Sequence, residues 1–206
     1  LCRERGVWFV VDAIQSLGHI KVDLAQTPVD VLTGASYKWL MAPEGSGVFY
    51  CSPEIMEHLQ LHEIGCGAMA HPGVYDTYTF ELAPDARRFE CGTPNTIGIS
   101  GLGAALKLFL EVGMDHVEDR LIHLSEALIH GLQRKGYRIL SPRDEGERSG
   151  IVTFSSDRFA SEDLHQTLRD SGIIEALRYG GIRVSPHFYN TEDEVLRVVE
   201  VLPDHD

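Results

Sequence analysis

Val7-Trp8-Phe9-Val10-Val11 is an unbroken apolar run that stops at Asp12. A short continuous run of this kind predicts a strand buried on both faces of a parallel sheet. Val29 to Thr33 and Gly47 to Cys51 repeat the pattern more weakly, with polar and glycine-containing turns between them. Residues 62 to 95 carry many Gly, Pro and aromatic residues without a sustained period, so a long ordered loop region is expected there.

The period then changes. Leu102, Ala105, Leu106, Phe109 and Leu110 form an i, i+3, i+4, i+7, i+8 stripe that ends at Gly113, which predicts a helix with one apolar side. Asp115 and Glu118 have the spacing of a capping box and open a second helix, whose stripe is Val117, Leu121, Leu124, Leu128 and Leu132 and whose stop is Gly136. Strands are expected at Tyr137 to Leu140, Gly150 to Phe154 and Ile182 to Ser185. A helix is expected from Ser161 to Ser171, closed by Gly172, and Thr191 with Glu194 predicts a capping box before a last helix burying Val195, Val198, Val199 and Leu202. The order of elements predicts an α/β chain, with a large domain and a linking helix over 1–113 and a small α+β domain over 114–206. The acidic patch at 144–147 reads as a solvated turn. The chain opens at Leu1 without Met and runs through Gly6 straight into an apolar strand, so the expectation is that sequence upstream is missing.

Charge and cysteine usage narrow the classes of partner. Asp and Glu outnumber Lys and Arg by 31 to 18, a formal charge of -13, which argues against nucleic acid and anionic membrane as partners and leaves a small molecule. No apolar run approaches the roughly 20 residues that span a bilayer. Cys2, Cys51, Cys66 and Cys91 have no CxxC or metal-ligand spacing, so no metal is expected and the thiols read as reduced, in a cytoplasmic protein.

Asp12 ends a predicted buried strand, where open α/β sheets place ligand-binding groups. Gln15 follows three residues on, and Lys38 lies in Ala35-Ser36-Tyr37-Lys38-Trp39-Leu40. An acid that holds a pyridinium proton and a lysine that forms an imine are what a pyridoxal 5'-phosphate site needs. Taken singly, an aspartate after a strand reads first as a turn residue, and a loop lysine as a solvated charge. His19 and His187 lie beside apolar residues and read as structural; Tyr37 and Trp39 read as packing that orients the lysine.

The surrounding string decides between these readings. Val11-Asp12-Ala13-Ile14-Gln15-Ser16-Leu17-Gly18-His19, then Tyr37-Lys38-Trp39-Leu40 with Pro43-Glu44-Gly45-Ser46-Gly47, then Arg88 to Asn95, then Arg183 to Thr191 occur in this order. Together they resemble the class V aminotransferases, the group that contains cysteine desulfurases, selenocysteine lyases, kynureninases and isopenicillin N epimerase-like proteins. The resemblance implies the C-terminal part of a fold type I pyridoxal-phosphate enzyme: a remnant of the large mixed-sheet domain and the small C-terminal domain. It implies that Asp12 pairs with the pyridine nitrogen, Gln15 hydrogen-bonds the ring hydroxyl and Lys38 forms the internal aldimine. Gly92 and Thr93 would meet the phosphate, in a homodimer where Thr93 reaches the cofactor held by the other copy. Arg183 would clamp the carboxylate of a small amino-acid substrate, a task suited to a bidentate guanidinium.

The chain departs from the family pattern in several places. Ala35 stands where a hydroxyl is expected, leaving Ser36 as the candidate phosphate contact, and Tyr37 stands where desulfurases carry histidine. Desulfurases place a nucleophilic cysteine in a loop next to the substrate arginine, whereas residues 173 to 191 contain none, so sulfur chemistry is disfavoured. The family's N-terminal half supplies the aromatic residue stacked on the ring and a further phosphate loop, neither of which is in this chain. The expected activity is transamination, epimerisation or elimination at the α-carbon; the alternative is a catalytically silent fragment or binding module that keeps the fold. No GxGxxG or P-loop string follows a strand, which leaves a nucleotide-binding domain without support.

Overall fold

A computed structural model describes residues 1–74, 76–77, 79–144 and 146–205. Positions 75 and 78 of the expected long loop and 145 of the acidic patch lie outside the described residues. The chain forms two compact units, Leu1–Glu111 and Val112–Asp206.

The first unit is built on a three-stranded mixed sheet, β1 (Val10–Asp12), β2 (Val31–Ala35) and β3 (Gly47–Cys51), in that order. β1 runs parallel to β2, and β3 returns antiparallel. Val31 and Leu32 of β2 are buried, as expected of the central strand. The expected burial of β1 on both faces is overturned: Val7, Trp8, Phe9 and Val10 are exposed, Val10 at 62%. Among the described residues β1 pairs on one edge only, and an apolar run records what a strand needs covered, not what covers it.

A short helix α1 (Pro53–Met56) starts with Ser52, whose side chain accepts from the Ile55 amide, and with Pro at its first position. The segment from 62 to 95 is irregular, as expected, apart from 3-10 turns at Cys66–Ala68 and Ala86–Phe89. Helix α2 (Thr96–Val112) buries Leu102 and Phe109 but leaves Leu106 and Leu110 exposed, so its buried stripe is narrower than the sequence spacing indicates.

The second unit has one continuous core. Helix α3 (Met114–Arg134) buries Val117, Leu121, Leu124, Leu128 and Leu132, each at 0% exposure, and Leu124, Leu128 and Leu132 belong to that core. Truncating any of the four leucines to Ala would cost about 2–5 kcal/mol. Its N-cap is Gly113 with a φ of 87° and no side-chain cap bond; the capping box expected at Asp115 and Glu118 is therefore displaced, with Asp115 inside the first turn. The sheet is antiparallel in the order β4 (Arg138–Ile139), β5 (Val152–Ser155), β7 (Gly181–Val184), β6 (Ala176–Arg178). Val152, Phe154, Ile182 and Val184 face the helices α3, α4 (Ser161–Asp170) and α5 (Glu192–Val201). The capping box at Thr191 and Glu194 forms as predicted, and Gly172 closes α4 with a φ of 76°. β6 is the strand the sequence pattern does not announce.

Candidate functional site

β1 delivers Asp12 to the carboxyl end of the parallel strand pair, opposite Thr33. One carboxylate oxygen of Asp12 accepts the Ile14 amide at 3.0 Å, and the Ala13 amide donates to the Thr33 carbonyl at 2.6 Å. These bonds turn the chain off the sheet. Asp12 therefore fills the turn role open to it from the sequence, and it is also exposed, with its second oxygen unpaired among the described residues.

Lys38 sits in the turn that follows β2. The Ala42 amide donates to the Ser36 carbonyl and the Met41 amide to the Lys38 carbonyl, each at 3.0 Å. Met41 holds a φ of 54° there, a left-handed conformation that costs a non-glycine residue roughly 1–2 kcal/mol. Lys38 is half-buried, and its ammonium has no ion pair or hydrogen bond among the described residues.

Ser36 has a different place from the one expected. It is fully buried, with its hydroxyl 2.6 Å from the Pro43 carbonyl, 2.8 Å from the Ser46 carbonyl and 2.7 Å from the Ser46 hydroxyl. A hydroxyl has one proton and two lone pairs. That capacity is taken up in folding the 43–46 loop back onto the lysine turn, and a phosphate would have no route to it.

The Asp12 and Lys38 segments are tied through Trp39. Its indole N–H donates to the Gln15 side-chain carbonyl at 3.0 Å, and its ring stacks on buried His19 with centroids 4.2 Å apart. Indole N–H is a donor only, so the bond fixes the Gln15 amide and leaves its NH2 as a free donor group. Gly18 makes the close approach possible. Its φ is +83°, and a Cβ there would lie 2.4 Å from the Trp39 carbonyl oxygen. His19 has the structural role expected, and Trp39 orients the lysine turn from within the core; the part played by Gly18 has no local signal beyond the glycine itself.

Gly92 and Thr93 are exposed and line a cleft of about 710 Å³ together with Asp12, Cys91, Asn95 and Phe49. Asn95, which the sequence reading did not single out, fixes that wall. Its side-chain oxygen accepts the Gly98 amide at 3.0 Å and its NH2 donates to the Gly45 carbonyl at 3.0 Å, so the first turn of α2 is pinned to the loop before β3. An Asn immediately before a helix is the local signal that could have found it. Lys38, Gln15 and Ser36 do not line this cleft.

Arg183 belongs to the second unit, on β7 between Thr153 of β5 and Ala176 of β6. Its Nε is buried with no hydrogen-bond partner among the described residues. An unpartnered buried donor costs about 1–3 kcal/mol, which makes it a place where an acceptor would be welcome. β6 and β7 are joined by Tyr179 and Gly180 at φ 54° and 72°, the paired left-handed conformation of a tight type I′ hairpin. Residues 173 to 191 hold no cysteine. Elsewhere, burial pushes the Cys51 thiol up, only partly offset by Arg88, and Cys91 Sγ lies 3.9 Å from a Glu63 carboxylate oxygen.

These residues fit the cofactor that the resemblance implies. A free carboxylate oxygen, a free amide donor and an uncommitted amine are the groups a protonated pyridine ring, its hydroxyl and its aldehyde would use. Asp12, Gln15 and Lys38 offer them in one unit.

A family model, aminotransferase class-V, matches residues 1–198. A probable cysteine desulfurase of Pyrococcus abyssi (strain GE5 / Orsay) is 30% identical over 98% of this chain and 53% of its own length. Probable cysteine desulfurase 2 of Mycobacterium leprae (strain TN) is 34% identical over 96% of this chain and 50% of its own. Among solved structures, the apo cysteine desulfurase of Thermococcus onnurineus NA1 aligns with a TM-score of 0.86 at 28% identity, covering 97% of this chain and 52% of that one. The chain thus spans about half the length of the relatives it matches.

Proposed function

We propose a function from one premise: the chain belongs to the class V aminotransferase family. The reading is a pyridoxal 5'-phosphate enzyme acting at the α-carbon of a small amino acid, as an aminotransferase, epimerase or lyase, with Lys38 as the residue that bonds the cofactor. Bound pyridoxal phosphate supplies an aldehyde that condenses with amines and a protonated ring that takes up the electron pair released at the α-carbon. Asp12 would hold the proton on the ring nitrogen with its free carboxylate oxygen, and the Gln15 NH2 would donate to the ring hydroxyl. The Lys38 amine would take a proton from the α-carbon and return one. Gly92 and Thr93 would meet the phosphate, and Arg183 the substrate carboxylate. In the proposed homodimer, Thr93 of one copy serves the cofactor held by Asp12 and Lys38 of the other; a stable monomer in light scattering would count against that assembly.

The observation that carries this reading is the Trp39 to Gln15 bond at 3.0 Å, because it fastens the segment after Asp12 to the turn that bears an unpaired lysine. Titration with pyridoxal phosphate tests it. Visible absorbance that develops with the parent chain and is lost in Lys38→Ala supports the reading, and an identical response from both chains removes Lys38 from it.

Cysteine desulfurase is the specific activity that the relatives' names favour, and it stands as the second reading. Against it, β6 and β7 are joined by a two-residue turn, and neither that turn nor the loop that follows Arg183 and Val184 carries a cysteine as sulfur nucleophile. A desulfurase reading would rest on Cys91, which lines the Asp12 cleft. Cysteine-dependent sulfide release that disappears in Cys91→Ser would favour it over the first reading.

A further inference from the structure

The sheet of the second unit has helices on one face only. Val152, Phe154, Ile182 and Val184 point into the helix side, and strand alternation therefore turns Arg138, Thr153, Ser155, Arg178 and Arg183 to the other. Three arginines share this face without a carboxylate partner among the described residues; Arg178 bonds only the Leu177 carbonyl, at 3.1 Å. In a chain of net charge -13 this is a local excess of positive charge.

Register separates the three. Arg178 lies opposite Gly181, and Arg183 is two residues further along the same strand, so the two arginines are diagonal neighbours about 7–8 Å apart. Arg138 pairs with Ser155 on the far strand, three strand spacings from β6, or roughly 14 Å. That is too far for Arg138 to share one small ligand with Arg178, whereas Arg183 is near enough. The floor between Arg178 and Arg183 is Gly181, a buried residue without a side chain, where a Cβ would lie 2.5 Å from the Phe154 carbonyl oxygen and 3.1 Å from Leu140 Cδ1. The Tyr179 and Gly180 turn, left-handed at both residues, locks the β6–β7 register. Spacing fixed before a ligand arrives reduces the ordering cost of binding it.

We propose that Arg178 is a specificity-determining residue that reads a second carboxylate on the amino-acid substrate, making the substrate class an amino acid with two carboxylates. The proposal rests on the reading that Arg183 takes the α-carboxylate. Two guanidinium forks about one small-ligand length apart each offer paired N–H donors to a carboxylate, and a neutral side chain would leave the Arg178 fork without an acceptor.

The test follows the side-chain Nε–H signals of Arg178 and Arg183 by NMR in the 206-residue chain titrated with L-glutamate, L-norvaline or acetate. The expected result is that glutamate moves both signals and binds about tenfold more tightly than norvaline, which moves Arg183 alone. Arg178→Gln should bring glutamate down to the norvaline level and leave norvaline unchanged. Equal affinities in the parent chain, or acetate moving both signals as far as glutamate does, would overturn the proposal while leaving Arg183 in place. An Arg183 signal that answers neither amino acid would instead overturn the reading beneath it.

Discussion

Trp39 donates its indole N–H to the Gln15 side-chain carbonyl at 3.0 Å, and this bond joins the strand-end segment to the lysine turn from inside the fold. Trp39→Phe keeps the ring and its stacking on His19 but removes the donor. The Gln15 amide is then free to rotate, and a hydrogen bond of about 1 kcal/mol is lost. Affinity for pyridoxal phosphate should fall about fivefold to tenfold, measured by absorbance titration, with thermal stability changed much less than by loss of the ring.

Ser36→Ala tests whether that hydroxyl belongs to the fold or to a phosphate. It is buried against the Pro43 and Ser46 carbonyls, so its removal should cost about 1–3 kcal/mol in urea unfolding. Pyridoxal phosphate affinity, measured where the variant is folded, should be unaltered. The opposite pattern, with stability unchanged and affinity reduced, would return Ser36 to the phosphate site.

Tyr137 gives the second unit a pH dependence in alkali. Its hydroxyl donates to the Pro203 carbonyl at 2.8 Å, and burial, with Asp204 nearby, pushes the phenol up to about 12 from 10.0. Between those values the unfolded chain has lost a proton that the folded one keeps, so stability falls as pH rises. The contribution is whole below about pH 10 and gone by about pH 12. Denaturation at intervals across this window should show the decline, and Tyr137→Phe should flatten it.

Arg183→Lys replaces a fork with a single ammonium. In the loaded protein, amino-acid affinity should drop about tenfold or more, with cofactor affinity unchanged. Unaltered amino-acid affinity in a calorimetric titration would remove Arg183 from substrate binding.

Local patterns were legible wherever one segment carries the whole signal. The α3 stripe and the Thr191 and Glu194 capping box are of this kind, because both depend on spacings of three or four residues. The exposure of β1 cannot be read from its own residues because the burial of a strand depends on its neighbours, and β6 carries no signal because Ala176, Leu177 and Arg178 are too few to show an alternation. In the site, Asp12, Gln15 and Lys38 could be named from the string around them. The bonds that position them could not, since Trp39 meets Gln15 across 24 residues and Ser36 meets Ser46 across 10. Such contacts exist only once the sheet has formed.

The most direct measurement of the central claim is a map of cofactor attachment: the chain saturated with pyridoxal phosphate, reduced with borohydride, and its peptides weighed. The chain has four lysines. Lys135 is tied to the Leu202 carbonyl and Asp204, Lys107 pairs with Glu111, and Lys21 also has a partner. Chemistry governed by access alone would favour Lys107, whose side chain is 78% exposed. The account predicts that half-buried Lys38 carries most of the label. A label spread over the other lysines, with Lys38 unmodified, would contradict it.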